Sequence, residues 1–237
     1  MNGFDNAILT FLTQHAFHSE FVNHAIRDLT QFYTVKGLVL MAMLCWMWFG
    51  SGKRNGKWQL EMVIAIVASG LLALIAGRLL AHYMPYRIRP IHSPDLHLHF
   101  PESTYTEPTL RFWNSFPSDH AMLWGAIATG IFLVYRVAGV FALLYTVLFV
   151  LLPRVYLGLH YPTDVLAGLA LGIIFVCLGT RDAVRVRIAA PVLRAFERWP
   201  APSYTFAFIL CFELITQFDD VRVVLGAIRK AILGDAV

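Results

Sequence analysis

The chain has 237 residues, of which 58% are hydrophobic and 14% are charged, and its mean hydropathy is +0.61. Soluble domains carry about a quarter charged residues, so this composition excludes a disordered chain, a coiled coil and a typical cytosolic enzyme. It predicts a single integral membrane domain over residues 1–237, all-α and polytopic, with a mild net charge of +4.

The first predicted element is amphipathic. Apolar residues recur at helical spacing through residues 1–30, with acids, His and Asn between them. This pattern predicts one helix, or a helix pair, lying at the membrane interface.

Five apolar stretches follow, each close to the length of about 20 residues that a spanning helix needs. They are Tyr33 to Gly50, Leu60 to Ala81, Ala121 to Tyr135, Val137 to Leu152 and Val165 to Gly179. A sixth stretch, Ser203 to Phe218, contains Glu213, which should face the bundle rather than lipid. We therefore expect five or six transmembrane helices, followed by an amphipathic surface helix over residues 219–234.

The positive charges predict the orientation of these spans. Lys and Arg cluster in residues 51–58, at Arg136 and in residues 181–198, and such clusters mark the cytoplasmic side. The outer side then receives the long loop 87–116 and the junction 153–164. These two outer segments hold most of the residues suited to chemistry.

Three polar clusters stand at the outer ends of different spans, where a lipid-facing surface would retain them only at a cost. They run from His82 to Pro90, from Pro117 to His120 and from Arg154 to Asp164. Ser118 can cap the span that follows it, and a second helix starts near Pro162. Two helix N-termini and several arginines would thus face one pocket, which predicts a phosphate site without a metal.

The histidines of these clusters suit acid, base or nucleophile chemistry at neutral pH. His160 and Asp164 have the pattern of a nucleophile and the carboxylate that orients it, leaving one ring nitrogen free to attack phosphorus. His120 is placed to protonate a departing oxygen.

The ordered set Arg89-Pro90, Pro117-Ser118-Asp119-His120 and Arg154-x5-His160-x3-Asp164 resembles the signature of the type 2 phosphatidic acid phosphatase superfamily, which also includes vanadium haloperoxidases. The resemblance implies a phosphohistidine at His160 and no cofactor, with Asp164 as the orienting group and His120 as the general acid. It further implies that the transferred phosphate is held by three residues, Arg89, Arg154 and Ser118.

The sequence departs from that signature at several positions. His82 stands where the family usually has Lys, and Pro153 where it usually has Ser. Arg87, Arg78 or a protonated His82 would then supply the missing charge. Asp119, in place of the commoner Gly, is counted with His82 and Arg87 among the expected phosphate-binding residues.

The third cluster looks most like the bacterial undecaprenyl-diphosphatase branch. That likeness implies hydrolysis of undecaprenyl diphosphate to undecaprenyl phosphate at the outer face of the inner membrane. The alternatives are a phosphatidylglycerol phosphate or lipid A phosphatase, a lipid phosphotransferase and, from another class, a non-catalytic lipid-binding or transport protein.

The expected partners are a lipid phosphate substrate and the bilayer, with neither nucleic acid nor an obligate protein partner. The outer loop also carries a loose group of possible metal ligands, whose spacing matches no standard zinc pattern. We interpret it as an exposed loop and predict no metal site. Its members are His92, Asp95, His97, His99 and Glu102.

Overall fold

The computed structural model describes residues 2–16, 19–50, 56–94, 96, 98, 100–101, 113–219, 221, 223–225 and 227–228. Within these residues the chain is helical and contains no strand, which confirms the predicted all-α class. The helices in chain order are α1 (Gly3–Ala16), α2 (Glu20–Gln31), α3 (Val39–Phe49), α4 (Gly56–Tyr83), α5 (Asp119–Val134), α6 (Arg136–Tyr145), α7 (Leu152–Tyr156), α8 (Pro162–Gly179), α9 (Asp182–Arg198) and α10 (Pro200–Thr216).

Each of the six apolar stretches predicted from the sequence is helical. Three rods are long and apolar enough to cross a membrane: α4 with 28 residues, Arg136–Tyr156 with 21, and α8 with 18. The second rod is continuous because a π-helical segment, Thr146–Leu151, joins α6 to α7. A fourth span exists if α2 and Thr34–Phe49, which meet at a bend of 66°, count as one. The helices α5 and α10 are apolar but shorter, so the protein is a multi-pass membrane helix bundle.

Helix α5 is the centre of the bundle. Every residue from Ala121 to Ile131 is buried, between α4, α6 and α8. Gly168 and Gly172 have the G-x-x-x-G spacing that predicts close approach of two helices, and the structure confirms it, because a Cβ on Gly168 would lie 2.5 Å from the Ser118 carbonyl oxygen. These glycines therefore hold the start of α5 against α8.

The N-terminal segment forms a helix pair, one of the two arrangements that the sequence allowed. Helix α1 packs against α7 and α8. Its side chains Asp5 and Leu9 are fully buried there, so α1 covers one side of the bundle with both an apolar and a charged residue.

Two sequence predictions lie mostly outside the described residues. The loose group of possible metal ligands keeps only His92 within them, and the predicted C-terminal helix 219–234 is described only in part. Among the described residues, no group of three or more His, Cys, Asp or Glu side chains has a metal-binding arrangement.

Candidate active site

Four helix ends and one extended segment meet at the site. After α4 ends, the chain runs extended to Arg89 and forms a single 3-10 turn, Pro90–His92. The Ile91 N–H donates to the Gly158 carbonyl at 2.9 Å. Gly158 has a φ of +68°, a left-handed conformation that favours glycine, and it turns the chain between α7 and α8. This contact places Arg89 over the loop that carries His160.

A cavity of about 310 Å³ opens between these elements. It lies between the C-terminal end of α4, the segment before α5 and the loop before α8. Its lining residues are Gly77, Arg78, Ala81, His82, Arg89, Trp113, Asn114, Pro117, Asp119 and His160. Four residues predicted for the site, namely His82, Arg89, Asp119 and His160, therefore share one cavity.

One ring nitrogen of His160 is hydrogen-bonded to the backbone, and the other lies beside the guanidinium of Arg89. Its Nδ1 lies 2.8 Å from the Ser115 carbonyl oxygen, and because a carbonyl only accepts, Nδ1 carries the proton. The Nε2 atom lies 3.3 Å from the Arg89 Nη1, and Arg89 is itself fixed by donating to the Leu159 carbonyl at 2.8 Å. The lone pair of Nε2 is thus on the side of Arg89 and the cavity.

The surroundings of His160 keep its ring neutral. Its side chain is only 2% exposed. Burial lowers the pKa of His160 well below its ordinary value, and the nearby guanidinium groups of Arg89 and Arg154 lower it further. A neutral imidazole whose Nε2 carries no proton is the form that can act as a nucleophile.

His120 is the second residue of α5 and has its own set of hydrogen bonds. Its Nδ1 donates to the Asp119 Oδ1 at 2.8 Å, and the same oxygen accepts the His120 backbone N–H at 2.8 Å. Its Nε2 contacts the Arg154 Nη2. Asp119 was expected to bind phosphate, but its carboxylate holds His120 instead, because an acid attracts the imidazole N–H and would repel an anion.

Asp164 does not contact the His160 ring in the way that the sequence suggested. It is fully buried, and its Oδ2 accepts from the Ser115 hydroxyl at 2.6 Å and from the Tyr161 N–H at 2.9 Å. The group on the His160 Nδ1 is the Ser115 carbonyl. Asp164 therefore acts on His160 through Ser115 and through the backbone next to His160.

Arg87 was expected among the phosphate-binding residues, and the structure gives it another place. Its guanidinium donates to Asp164, to the Asp5 Oδ2 at 2.8 Å and to the Thr163 Oγ1 at 3.0 Å, and it stacks 3.9 Å from the centre of the Tyr161 ring. Two carboxylates thus neutralise Arg87, and it does not line the cavity.

Ser118 is confirmed as the N-cap of α5, accepting from the Ala121 N–H at 3.5 Å. It is fully buried and is not among the residues that line the cavity, and its phosphate contact stays a prediction. Pro162 occupies the first turn of α8 as predicted. His82 lines the cavity and is exposed.

Sequence reasoning missed Ser115 and Asp5, and it weighed Arg78 only as a substitute cation. Arg78 lines the cavity, with its Nε 3.9 Å from the Asp119 Oδ2. Gly77 makes this approach possible, because any side chain there would press on Met122 and Asp119. The position of Arg78 one turn before His82 on α4 was the available signal; none in the sequence pointed to Asp5.

The sequence matches a family model and two individual proteins. A family model described as the PAP2 superfamily matches residues 58–187. The bacitracin transport permease protein BcrC of Bacillus licheniformis is 26% identical over 177 residues, which are 75% of this chain and 78% of that one. The putative undecaprenyl-diphosphatase YbjG of Escherichia coli strain K12 is 28% identical over 135 residues, 57% of this chain and 61% of that one.

One solved structure is also similar. It is a transmembrane PAP2-type phosphatidylglycerolphosphate phosphatase from Bacillus subtilis, 22% identical, with a TM-score of 0.42 over 75% of this chain and 85% of that one.

Proposed function

The chain belongs to the PAP2 superfamily and is a lipid phosphatase of the membrane, and from that premise we propose that His160 is the nucleophile that receives the phosphate. The observation that carries the proposal is the position of the His160 ring. Its Nδ1 proton is committed to the Ser115 carbonyl, while Nε2 faces Arg89 and the cavity. The ring therefore presents a lone pair where a phosphate held by Arg89 would lie.

The first half of the reaction transfers the phosphoryl group to the enzyme. The Nε2 lone pair of His160 attacks the terminal phosphorus, and the bond from phosphorus to the bridging oxygen breaks with its electron pair on that oxygen. His120 delivers a proton to the leaving oxygen, supported by Asp119 at its Nδ1. A phosphoryl group nearing Arg154 would compete with His120 for that guanidinium, so that the His120 Nε2 takes up a proton from solvent and then passes it to the leaving oxygen.

The second half regenerates the enzyme. Water attacks the phosphohistidine, His120 takes one proton from the water, and the bond from Nε2 to phosphorus breaks with its electron pair returning to His160. Inorganic phosphate is released. Each turnover consumes one water, as the hydrolysis of a phosphoanhydride or phosphomonoester requires.

The cations around the cavity suit a substrate that carries two phosphates. The Arg89 Nη1 lies 3.3 Å from the His160 Nε2, and the Arg154 guanidinium contacts the His120 Nε2, so we assign both arginines to the transferred phosphate. Arg78 lies on α4, one turn before His82, and its buried Nε has no hydrogen-bond partner among the described residues. We assign Arg78, with His82, to the second phosphate, because fixed donors lining a cavity stabilise the charge that the leaving group gains.

The proposed substrate is undecaprenyl diphosphate and the product is undecaprenyl phosphate. Support comes from the name of the E. coli relative and from the number of cations at the cavity. We further propose that the protein lies in a bacterial inner membrane with the cavity on the outer face, since residues 181–198, rich in Arg, and the cavity belong to opposite sides in the predicted topology.

Purified protein tests the function directly. We expect wild-type enzyme to release inorganic phosphate from undecaprenyl diphosphate and His160→Ala to release none, while His24→Gln, an exposed histidine on α2, keeps full turnover. A panel with phosphatidylglycerol phosphate and lipid A phosphates ranks the substrates by kcat/KM. Undiminished turnover by His160→Ala would overturn the nucleophile, and a clear preference for another lipid would overturn the substrate.

A further inference from the structure

We propose that Asp5, on the N-terminal helix α1, is a positioning residue of the active site that holds Arg87 and the first turn of α8, and through them His160. The inference rests on the proposed role of His160 as the nucleophile. Asp5 lies outside residues 58–187, the segment that the family model matches.

Asp5 is a fully buried carboxylate with its hydrogen bonds directed at the site. Its Oδ1 accepts from the Thr163 backbone N–H at 2.9 Å. Its Oδ2 accepts from the Thr163 hydroxyl and from the Arg87 Nη2, both at 2.8 Å. A buried carboxylate is costly unless it is paired and hydrogen-bonded, and here every described partner belongs to the neighbourhood of His160 rather than to α1.

The Thr163 contact gives α8 a cap from another helix. Thr163 is the second residue of α8, so its backbone N–H is one of the donors that the helix itself leaves unsatisfied. A carboxylate at this end also interacts favourably with the helix dipole. Asp5 therefore fixes the first turn of α8, two residues after Tyr161 and three after His160.

The Arg87 contact connects Asp5 to the hydrogen bonds of the nucleophile. Arg87 donates through Nη2 to Asp5 and through Nη1 to Asp164. Asp164 in turn accepts from the Ser115 hydroxyl at 2.6 Å, and the Ser115 carbonyl accepts from the His160 Nδ1 at 2.8 Å. The guanidinium is planar and its donors have fixed directions, so holding one side by Asp5 sets the direction in which the other side meets Asp164.

This arrangement predicts an effect on the chemical step and not on lipid binding. Asp5 does not line the cavity, so its loss removes no substrate contact. It lets Arg87 and the first turn of α8 move, and small displacements of a nucleophile are costly to reaction rate. We expect Asp5→Asn to lower kcat by about ten-fold, with KM within about two-fold of the wild-type value.

The experiment compares Asp5→Asn with Asn6→Ala, an exposed neighbour on the same helix. Both are measured for kcat, KM and unfolding temperature, and Asp5→Asn is also combined with Arg87→Gln. Because Asp5 acts partly through Arg87 and partly through α8, the double variant should lose less kcat than the two single losses combined predict. Asp5→Glu, which keeps the charge, should recover part of the rate.

Additive losses of kcat in the double variant, or a rate equal to wild type in Asp5→Asn, would overturn the inference. If Asp5→Asn does not fold, Thr163→Val removes only the hydroxyl that joins Asp5 and Arg87. It should lower kcat a few-fold with KM unchanged, and an unchanged kcat would again count against Asp5. Failure of the proposed function can be told apart from failure of this inference, because a wrong nucleophile would appear as turnover by His160→Ala.

Discussion

Replacing Asp164 by Asn tests the link between the buried carboxylates and the nucleophile. The amide is nearly isosteric, so it best keeps its oxygen toward the Ser115 hydroxyl and the Tyr161 N–H and turns its NH₂ group toward Arg87. A donor then faces a donor, and Arg87 loses one of its two counter-ions.

The expected loss of folding free energy in Asp164→Asn depends on the ion pair with Asp5 that Arg87 keeps. Breaking a buried ion pair costs about 3–5 kcal/mol. Arg87 is 29% exposed and retains Asp5 at 2.8 Å, so the cost should lie at or below the lower end of that range, and we expect a loss of about 2–3 kcal/mol of folding free energy. The uncharged amide oxygen accepts the Ser115 hydroxyl less strongly than the carboxylate does, and the looser Ser115 should also lower kcat by about 100-fold.

Unfolding in detergent and steady-state phosphate release measure these two effects, and Asp5→Asn supplies the matched comparison. Each single variant leaves Arg87 with one carboxylate, whereas the double variant leaves it with none. The double variant should therefore lose more folding free energy than the sum of the single losses. Strict additivity, or an Asp164→Asn enzyme with wild-type rate and stability, would refute the arrangement described here.

Three further predictions follow from the site. Burial, Arg89 and Arg154 lower the pKa of His160, so the ring stays neutral as pH falls through about 6.5, and kcat/KM should decline only below that pH. Arg89→Gln removes one of these cations, raises the pKa of His160 and should move the acid limb of the pH profile to higher pH. An acid limb that does not move would contradict the contact between Arg89 and His160. Gly168→Ala brings a Cβ to 2.5 Å from the Ser118 carbonyl, so it should lower stability by about 1–3 kcal/mol and reduce activity; wild-type melting and turnover would show that the helices separate freely. Excess EDTA should leave phosphate release unchanged, since arginines hold the anion, whereas loss of activity that Mg²⁺ restores would show a metal requirement.

Local sequence signals predicted much of the fold and part of the site. Ser118 as a cap, Pro162 in a first helical turn, and the close approach at Gly168 and Gly172 each depend on one residue type at one spacing, and all are confirmed. The resemblance of the three ordered motifs to the superfamily also implied the lipid phosphatase activity.

The hydrogen bonds of Arg87, Asp119 and Asp164 could not be predicted in the same way. Spacing brought Asp164 near His160, but the Ser115 carbonyl reaches the ring first because the segment before α5 passes beside the start of α8. Asp5 meets Arg87 across 82 positions of sequence. Such contacts depend on how α1 packs on the bundle, and no periodicity within α1 carries that information.

The most direct test of the central claim uses undecaprenyl diphosphate labelled in its terminal phosphate as the substrate. The reaction is quenched rapidly, and the label is located by mass spectrometry under conditions that preserve phosphohistidine. We predict a phosphoryl group on a ring nitrogen of His160, formed within the first turnover and lost as inorganic phosphate. Label on another residue, or turnover that proceeds with His160 unmodified at every time point, would contradict the account.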